Sequence, residues 1–133
     1  MTRTDLVKSE NATKLLKFYM LPFPPSVNNL FLNVKRGGRV KTPRYREWIE
    51  EAGLSLNTQH VPRYDGRVYI IYRVNRPDKR RRDISNLVKP IEDLLVLHGV
   101  LKDDSLIDGF EIRWDGEGHG MFFSIAPSEY NDQ

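Results

Sequence analysis

Four aspartates and a lysine, Asp83, Asp93, Asp103, Asp104 and Lys89, share one stretch of this 133-residue chain with four consecutive cations, Lys79, Arg80, Arg81 and Arg82. Carboxylates are the hard-oxygen ligands magnesium selects, usually one or two of them with water and phosphate oxygens completing the shell. Two carboxylates about 4 Å apart repel by roughly 4 kcal/mol at an effective dielectric near 20. That crowding is relieved when a cation or a proton shares the site. A bound divalent ion acidifies an attacking water and stabilises charge on a scissile phosphate. Lys89 could stabilise the same charge or orient the nucleophile. Beside a basic run that attracts phosphate, the chemistry expected is metal-assisted attack on a nucleic-acid backbone, with Asp83, Asp103 and Asp104 as the metal ligands. Each residue also has a purely structural reading, Asp83 as a helix N-cap and Asp103-Asp104 as a solvent-facing turn.

Positioning these groups falls to a helix that follows the basic run. Ile84, Leu87, Val88, Ile91, Leu94, Leu95 and His98 recur at i, i+3, i+4 spacing, which predicts one apolar stripe. Asp83 stands where an N-cap belongs, and Gly99 stands where a helix ends. Pro90 lies inside the pattern and predicts a kink, or a late start near Ser85 or Asn86. The polar side then carries Ser85, Lys89, Glu92 and Asp93, with Lys89 one turn beyond Asp83.

An earlier helix is predicted from about Pro43 to Asn57. Thr42 is its N-cap, Pro43 its first residue, and Tyr45, Trp48, Ile49, Ala52 and Leu56 its apolar stripe. Trp48 at this spacing reads as core, and Gly53 weakens the helix by roughly 1 kcal/mol relative to Ala. Lys14–Leu21, Leu30–Val34, Arg67–Val74, Leu106–Trp114 and Gly120–Ala126 read as strands, with Gly116–Gly120 as the hairpin turn joining the last two. Lys35–Lys41 reads as a cationic turn, mobile enough to be a flap, in which Gly37 and Gly38 permit positive φ. Its Lys35, Arg36 and Arg39 are phosphate-contacting candidates or a solvated hairpin tip.

The chain reads as one domain, 1–133, with residues 1–13 and 127–133 as tails. It has no cysteine, which excludes a disulfide scaffold and thiolate zinc chemistry and fits a reducing cytoplasm. No apolar run approaches the ~20 residues needed to cross a bilayer, so a soluble protein without a membrane partner is expected. The net charge of +3 is modest, but it is segregated. Arg73–Arg82 holds Arg73, Arg76 and the four-cation run against Asp78. Asp103–Glu117 holds Asp103, Asp104, Asp108, Glu111, Asp115 and Glu117 against Arg113. That is the layout of a nuclease, and equally of two oppositely charged solvated faces. His60, His98 and His119 are scattered, with no metal-ligand spacing.

The run RRRDISNLVKPIEDLL, followed by GVLKDDSLID and preceded by PFPPSVNN, resembles the RusA family of Holliday-junction resolvases. That family's motif reads roughly RRRDxDNxxKxxxDxL, then an acidic pair and a strand. The resemblance spans about Lys14 to Ala126. It implies an α+β fold, a small mixed sheet with two main helices, in an intertwined homodimer. It also implies magnesium- or manganese-dependent nicking of four-way junctions, a substrate of branched DNA, in recombination and repair. Asp83, Lys89 and Asp104 then align with catalytic positions, Asp93 with the Asp beyond the lysine, and Arg80–Arg82 with the DNA-contacting run. Ser85 departs from the motif, which carries a carboxylate there. The departure implies weaker metal binding, a one-metal site, transfer of the role to Asp93 or Asp103, or a junction-binding dimer that no longer cuts.

Overall fold

The computed structural model describes residues 16–128, so most of the two segments read as tails lies outside the described residues. The elements are β1 (Tyr19–Pro22), β2 (Phe31–Val34), β3 (Gly38–Lys41), α1 (Pro43–Gln59), β4 (Val68–Arg76), α2 (Val88–Leu97), β5 (Ile107–Glu117) and β6 (Gly120–Pro127). The fold is α+β: a four-stranded mixed sheet in the order β1-β6-β4-β5, two helices, and a separate two-stranded hairpin, β2-β3.

β4 is the keel of the sheet. Val68, Ile70, Ile71, Tyr72 and Val74 are all buried, as the dense run of β-branched and aromatic residues predicts for a central strand. It pairs antiparallel with β6, Tyr72 opposite Phe123, and parallel with β5, Tyr72 opposite Ile112. A parallel pair needs a long crossover, and the segment between β4 and β5 supplies it. That crossover carries the basic run, α2 and the acidic pair, so the parallel topology places the candidate residues on one connection. Leu87, Val88, Ile91, Leu94 and Leu95 bury the apolar stripe of α2 in the common core.

Helix α1 begins as the sequence predicts. The Thr42 hydroxyl accepts from the Tyr45 N–H at 3.2 Å and donates to the Asn29 carbonyl at 2.8 Å, joining the helix start to the preceding loop. Trp48 is core, with its indole N–H on the Pro22 carbonyl at 3.0 Å. Gln59 and Ser55 donate to the Met20 carbonyl, anchoring α1 against β1. Gly53 has a packing reason: a Cβ there would come within 2.7 Å of the His98 ring. His98 itself is exposed at the end of α2 and does not extend the buried stripe.

Three sequence expectations are corrected. Lys35–Lys41 is not a turn alone; it contains β3, which pairs with β2 around a tip where Gly37 and Gly38 take positive φ. Gly116–Gly120 does not join neighbouring strands, because β4 lies between β5 and β6; the reversal arches over the end of β4, with the Gly118 N–H on the Arg76 carbonyl. The sheet also runs past Ala126: Pro127 ends β6, and the Ser128 N–H donates to the Arg67 carbonyl.

Candidate active site and nucleic-acid face

The crossover from β4 enters α2 through a tight 3₁₀ turn, Ile84–Leu87, so the α-helix proper starts later than the apolar stripe predicts. Pro90 then falls in the first turn of α2, where its missing N–H breaks no intrahelical bond. Asp83 caps the 3₁₀ turn through one carboxylate oxygen. Oδ1 accepts from the Ser85 N–H at 3.2 Å and from the Ser85 hydroxyl at 2.7 Å. Ser85 therefore orients Asp83 and satisfies half of its carboxylate.

The same device recurs after α2. Asp103 caps a second 3₁₀ turn, Asp104–Leu106, its Oδ1 accepting from the Ser105 N–H at 2.8 Å. Hydrogen bonds from Ser105, and contact with the Asp104 carboxyl, hold the Asp103 carboxyl below the usual carboxylate range. This turn folds back along α2, so that Lys89, in the helix's first turn, lies 3.0 Å from Asp93 Oδ1 and 3.7 Å from Asp104 Oδ2. The hydrogen bond that Lys89 donates to Asp93, and the acidic charges around it, raise the Lys89 pKa. Glu92 beside it is pushed up, first by partial burial and then by Asp104 and Asp93, against the pull of Lys89. Tyr45 of α1 reaches this region too: burial raises its hydroxyl pKa, and the Asp93 charge raises it further.

Before α2 the charge roles are reversed. The Asp78 carboxylate receives Arg82 in a two-pronged contact, 2.7 and 3.0 Å, while Arg80 donates its backbone N–H at 2.9 Å and its Nε at 3.1 Å. Those hydrogen bonds, Arg80's first, hold the Asp78 carboxyl below its ordinary range. The Arg82 guanidinium lies over Phe23, Phe23 stacks on Trp114, and Arg76 lies over the Trp114 ring. Cation and aromatic planes thus tie the loop after β1 to the ends of β4 and β5.

The structure groups the predicted residues into two clusters. Arg80, Arg81, Arg82 and Asp83 line a cleft of about 470 Å³ together with the PFPPSVNN loop and Arg44. Asp93, Asp103 and Asp104 line a second hollow of about 250 Å³ with Val96 and Lys102. Lys79 is exposed at the edge of the basic run. Lys35, Arg36 and Arg39 are exposed on the β2-β3 hairpin, where Arg39 stacks over Phe31 at 4.2 Å and none lines the cleft. The acidic run also divides: Asp108 pairs with Arg67 at 2.8 Å and Glu111 with Arg73 at 2.9 Å, across the parallel β4-β5 ladder.

Among the described residues no three acids or histidines are spaced to hold a metal within one chain. The donors themselves suit a hard divalent ion. All are carboxylate oxygens, and the Asp103 and Asp104 carboxyls sit within hydrogen-bonding range of each other, a crowding that a cation relieves. Lys89 supplies that positive charge to Asp104 and Asp93 here. Sequence reasoning missed Arg44, Asn28, Glu92 and Tyr45. Asn28 was legible only as part of a proline-rich loop, and Arg44 only as the residue after a helix start.

A family model described as Endodeoxyribonuclease RusA matches residues 22–124, a span that takes in both clusters and both capped turns. The chain belongs to the RusA family. One RusA relative, the crossover junction endodeoxyribonuclease RusA of Aquifex aeolicus (strain VF5), is 30% identical over 99 residues, 74% of this chain and 77% of that protein. Another, the crossover junction endodeoxyribonuclease rusA of Enterobacteria phage HK97, is 30% identical over 98 residues, 71% of this chain and 78% of that protein. Within this RusA chain, no helix among the described residues is long and apolar enough to cross a membrane.

Proposed function

We propose that this RusA-family chain is a divalent-metal-dependent endodeoxyribonuclease that nicks four-way DNA junctions as a homodimer. The observation that carries the reading is the Lys89 ammonium set between Asp93 and Asp104, beside Asp103, on a crossover that also carries Asp83 and the arginine-lined cleft. Asp103 and Asp104 would hold magnesium or manganese, with Asp83 as a further ligand brought in by rearrangement on metal binding, since no three acids among the described residues are so spaced in the free chain. The ion would acidify an attacking water and stabilise charge on the scissile phosphate. Arg80, Arg81 and Arg82 hold the DNA backbone, with Lys79, Lys35, Arg36 and Arg39 extending the electrostatic footprint. Lys89 sets the charge balance of the acidic cluster and lies within reach of a phosphate bound there. Two symmetry-related sites suit a branched substrate that needs paired cuts. A DNA substrate and a chain without cysteine fit a reducing cytoplasm.

A second reading has its own support. Ser85 stands where the family motif carries a carboxylate, and its hydroxyl, which donates to Asp83, offers an ion only a neutral oxygen. On that reading the protein binds junctions and cuts them poorly. A synthetic four-way junction titrated with magnesium and manganese separates the two. Nicking that disappears with EDTA and in Asp104→Asn establishes the enzyme; tight binding without cutting in either metal across pH overturns it. Ser85→Asp grades the alternative: a large gain marks an impaired natural site, and no change marks a ligand set rebuilt around Asp93 or Asp103.

A further inference from the structure

The cleft between the PFPPSVNN loop and the basic run is lined by more than phosphate-binding groups. Its volume, about 470 Å³, falls in the range of small-ligand sites, roughly 300–1,000 Å³. Arg82 and Arg80 are engaged by Asp78, whereas Arg81 and Arg44 have no ion-pair partner among the described residues. The side chains of Asn28 and Asn86 likewise make no hydrogen bond among the described residues, yet both line the cleft. A phosphate needs only donors. An amide offers a donor and an acceptor side by side, the pattern that matches the edge of a nucleobase. Phe23, also in the cleft wall, is held by its stacking with Trp114 and by the Arg82 guanidinium over its ring.

The wall carrying Asn28 is stiff before anything binds. The Asn29 N–H donates to the Ser26 carbonyl at 2.9 Å, its side-chain amide to the Ser26 hydroxyl at 3.1 Å, and its carbonyl accepts from Thr42 at 2.8 Å. That last bond fixes the loop to the start of α1, whose second residue is Arg44. Preorganised polar groups of this kind lower the ordering cost of binding.

We propose that this cleft holds a single nucleotide of the bound strand, with its phosphate on Arg81 and its base edge against Asn28, Asn86 and Arg44. These residues then determine which base is accepted. The inference deepens the endonuclease reading and rests on the strand crossing the basic run. It is tested with four-way junctions randomised around the crossover, selected once for binding in EDTA and once for nicking in magnesium. The parent enriches one base at one position in both selections. Asn28→Ala and Arg44→Gln flatten that enrichment by roughly ten-fold or more. Arg81→Ala weakens all sequences alike and lowers the salt slope by about 0.9. Thermal unfolding of the variants confirms that they fold. An enrichment unchanged in both Asn28→Ala and Arg44→Gln, or a parent with no preference, overturns the pocket. Selective binding without nicking retains the pocket and removes the nuclease reading instead.

Discussion

Before α2 a single carboxylate organises two guanidinium groups; along α2 a single ammonium organises two carboxylates. Asp78 gathers Arg80 and Arg82 with contacts of 2.7–3.1 Å, and Lys89 gathers Asp93 and Asp104 at 3.0 and 3.7 Å. In each cluster the minority charge fixes the geometry of the majority and leaves the net sign intact. The consequences differ. Guanidinium groups around one acid keep an outward-facing positive surface for phosphate, since each still carries spare donors. Carboxylates around one lysine keep their affinity for a second cation, because one positive charge does not neutralise two negative ones.

The acidic cluster should be the more sensitive to losing its minority charge. Lys89→Ala leaves Asp93, Asp103 and Asp104 to repel one another. Nicking is expected to fall about 100-fold, the scale of removing one charge-stabilising donor from an active site. Metal affinity should move in the opposite direction, because the competing ammonium is gone. Calorimetric titration with magnesium should therefore show tighter binding in the variant beside slower cutting. Weaker metal binding in Lys89→Ala would mean that the lysine supports the ligands rather than competing with the ion.

The corresponding change in the basic cluster should be milder. Asp78→Asn frees Arg80 and Arg82 and makes the region more positive. Affinity for plain duplex should rise, because electrostatic attraction is not selective. Preference for a four-way junction over duplex should fall roughly ten-fold, because the arginines are no longer held in place. Gel-shift titrations of the two DNAs at one salt concentration give the ratio directly. If the ratio stays constant, Asp78 is a bystander and the symmetry between the clusters is only formal.

How much of this could be read from the chain follows the range of the forces involved. Local signals were faithful. Thr42-Pro43 started a helix, and the stripe from Leu87 to Leu95 was buried with Ile84 packed against it. Partners distant in sequence were not legible. Nothing in GEGHG shows that β4 must pass between the strands it joins, because a short Gly-rich turn reads the same whether or not its strands pair. The β5 acids looked like one cluster with Asp104 until the parallel register set Glu111 beside Arg73. Asp83 and Asp104 were expected around one ion. The fold-back after α2 sets Asp104 beside Lys89, while Asp83 lines the basic cleft, and neither contact was legible from spacing alone.

The smallest effect tests the acidic cluster through a residue outside the arginine cleft. Glu92 is half-buried on α2, and partial burial with the nearby Asp104 and Asp93 raises its pKa despite Lys89. A carboxyl whose pKa is raised on folding binds its proton more tightly in the folded state. Its contribution to stability therefore falls as pH rises from about 4.3, the ordinary glutamate value, through the raised one. Glu92→Gln removes that titration. Near pH 7 the variant's Tm should exceed the parent's by about 1–3 °C, a modest gain because solvent screens a half-exposed charge. At pH 4, where the parent's carboxyl is already largely protonated, the gain should vanish. A Tm difference that does not change between the two pH values would mean that packing, not charge, separates glutamate from glutamine at this position.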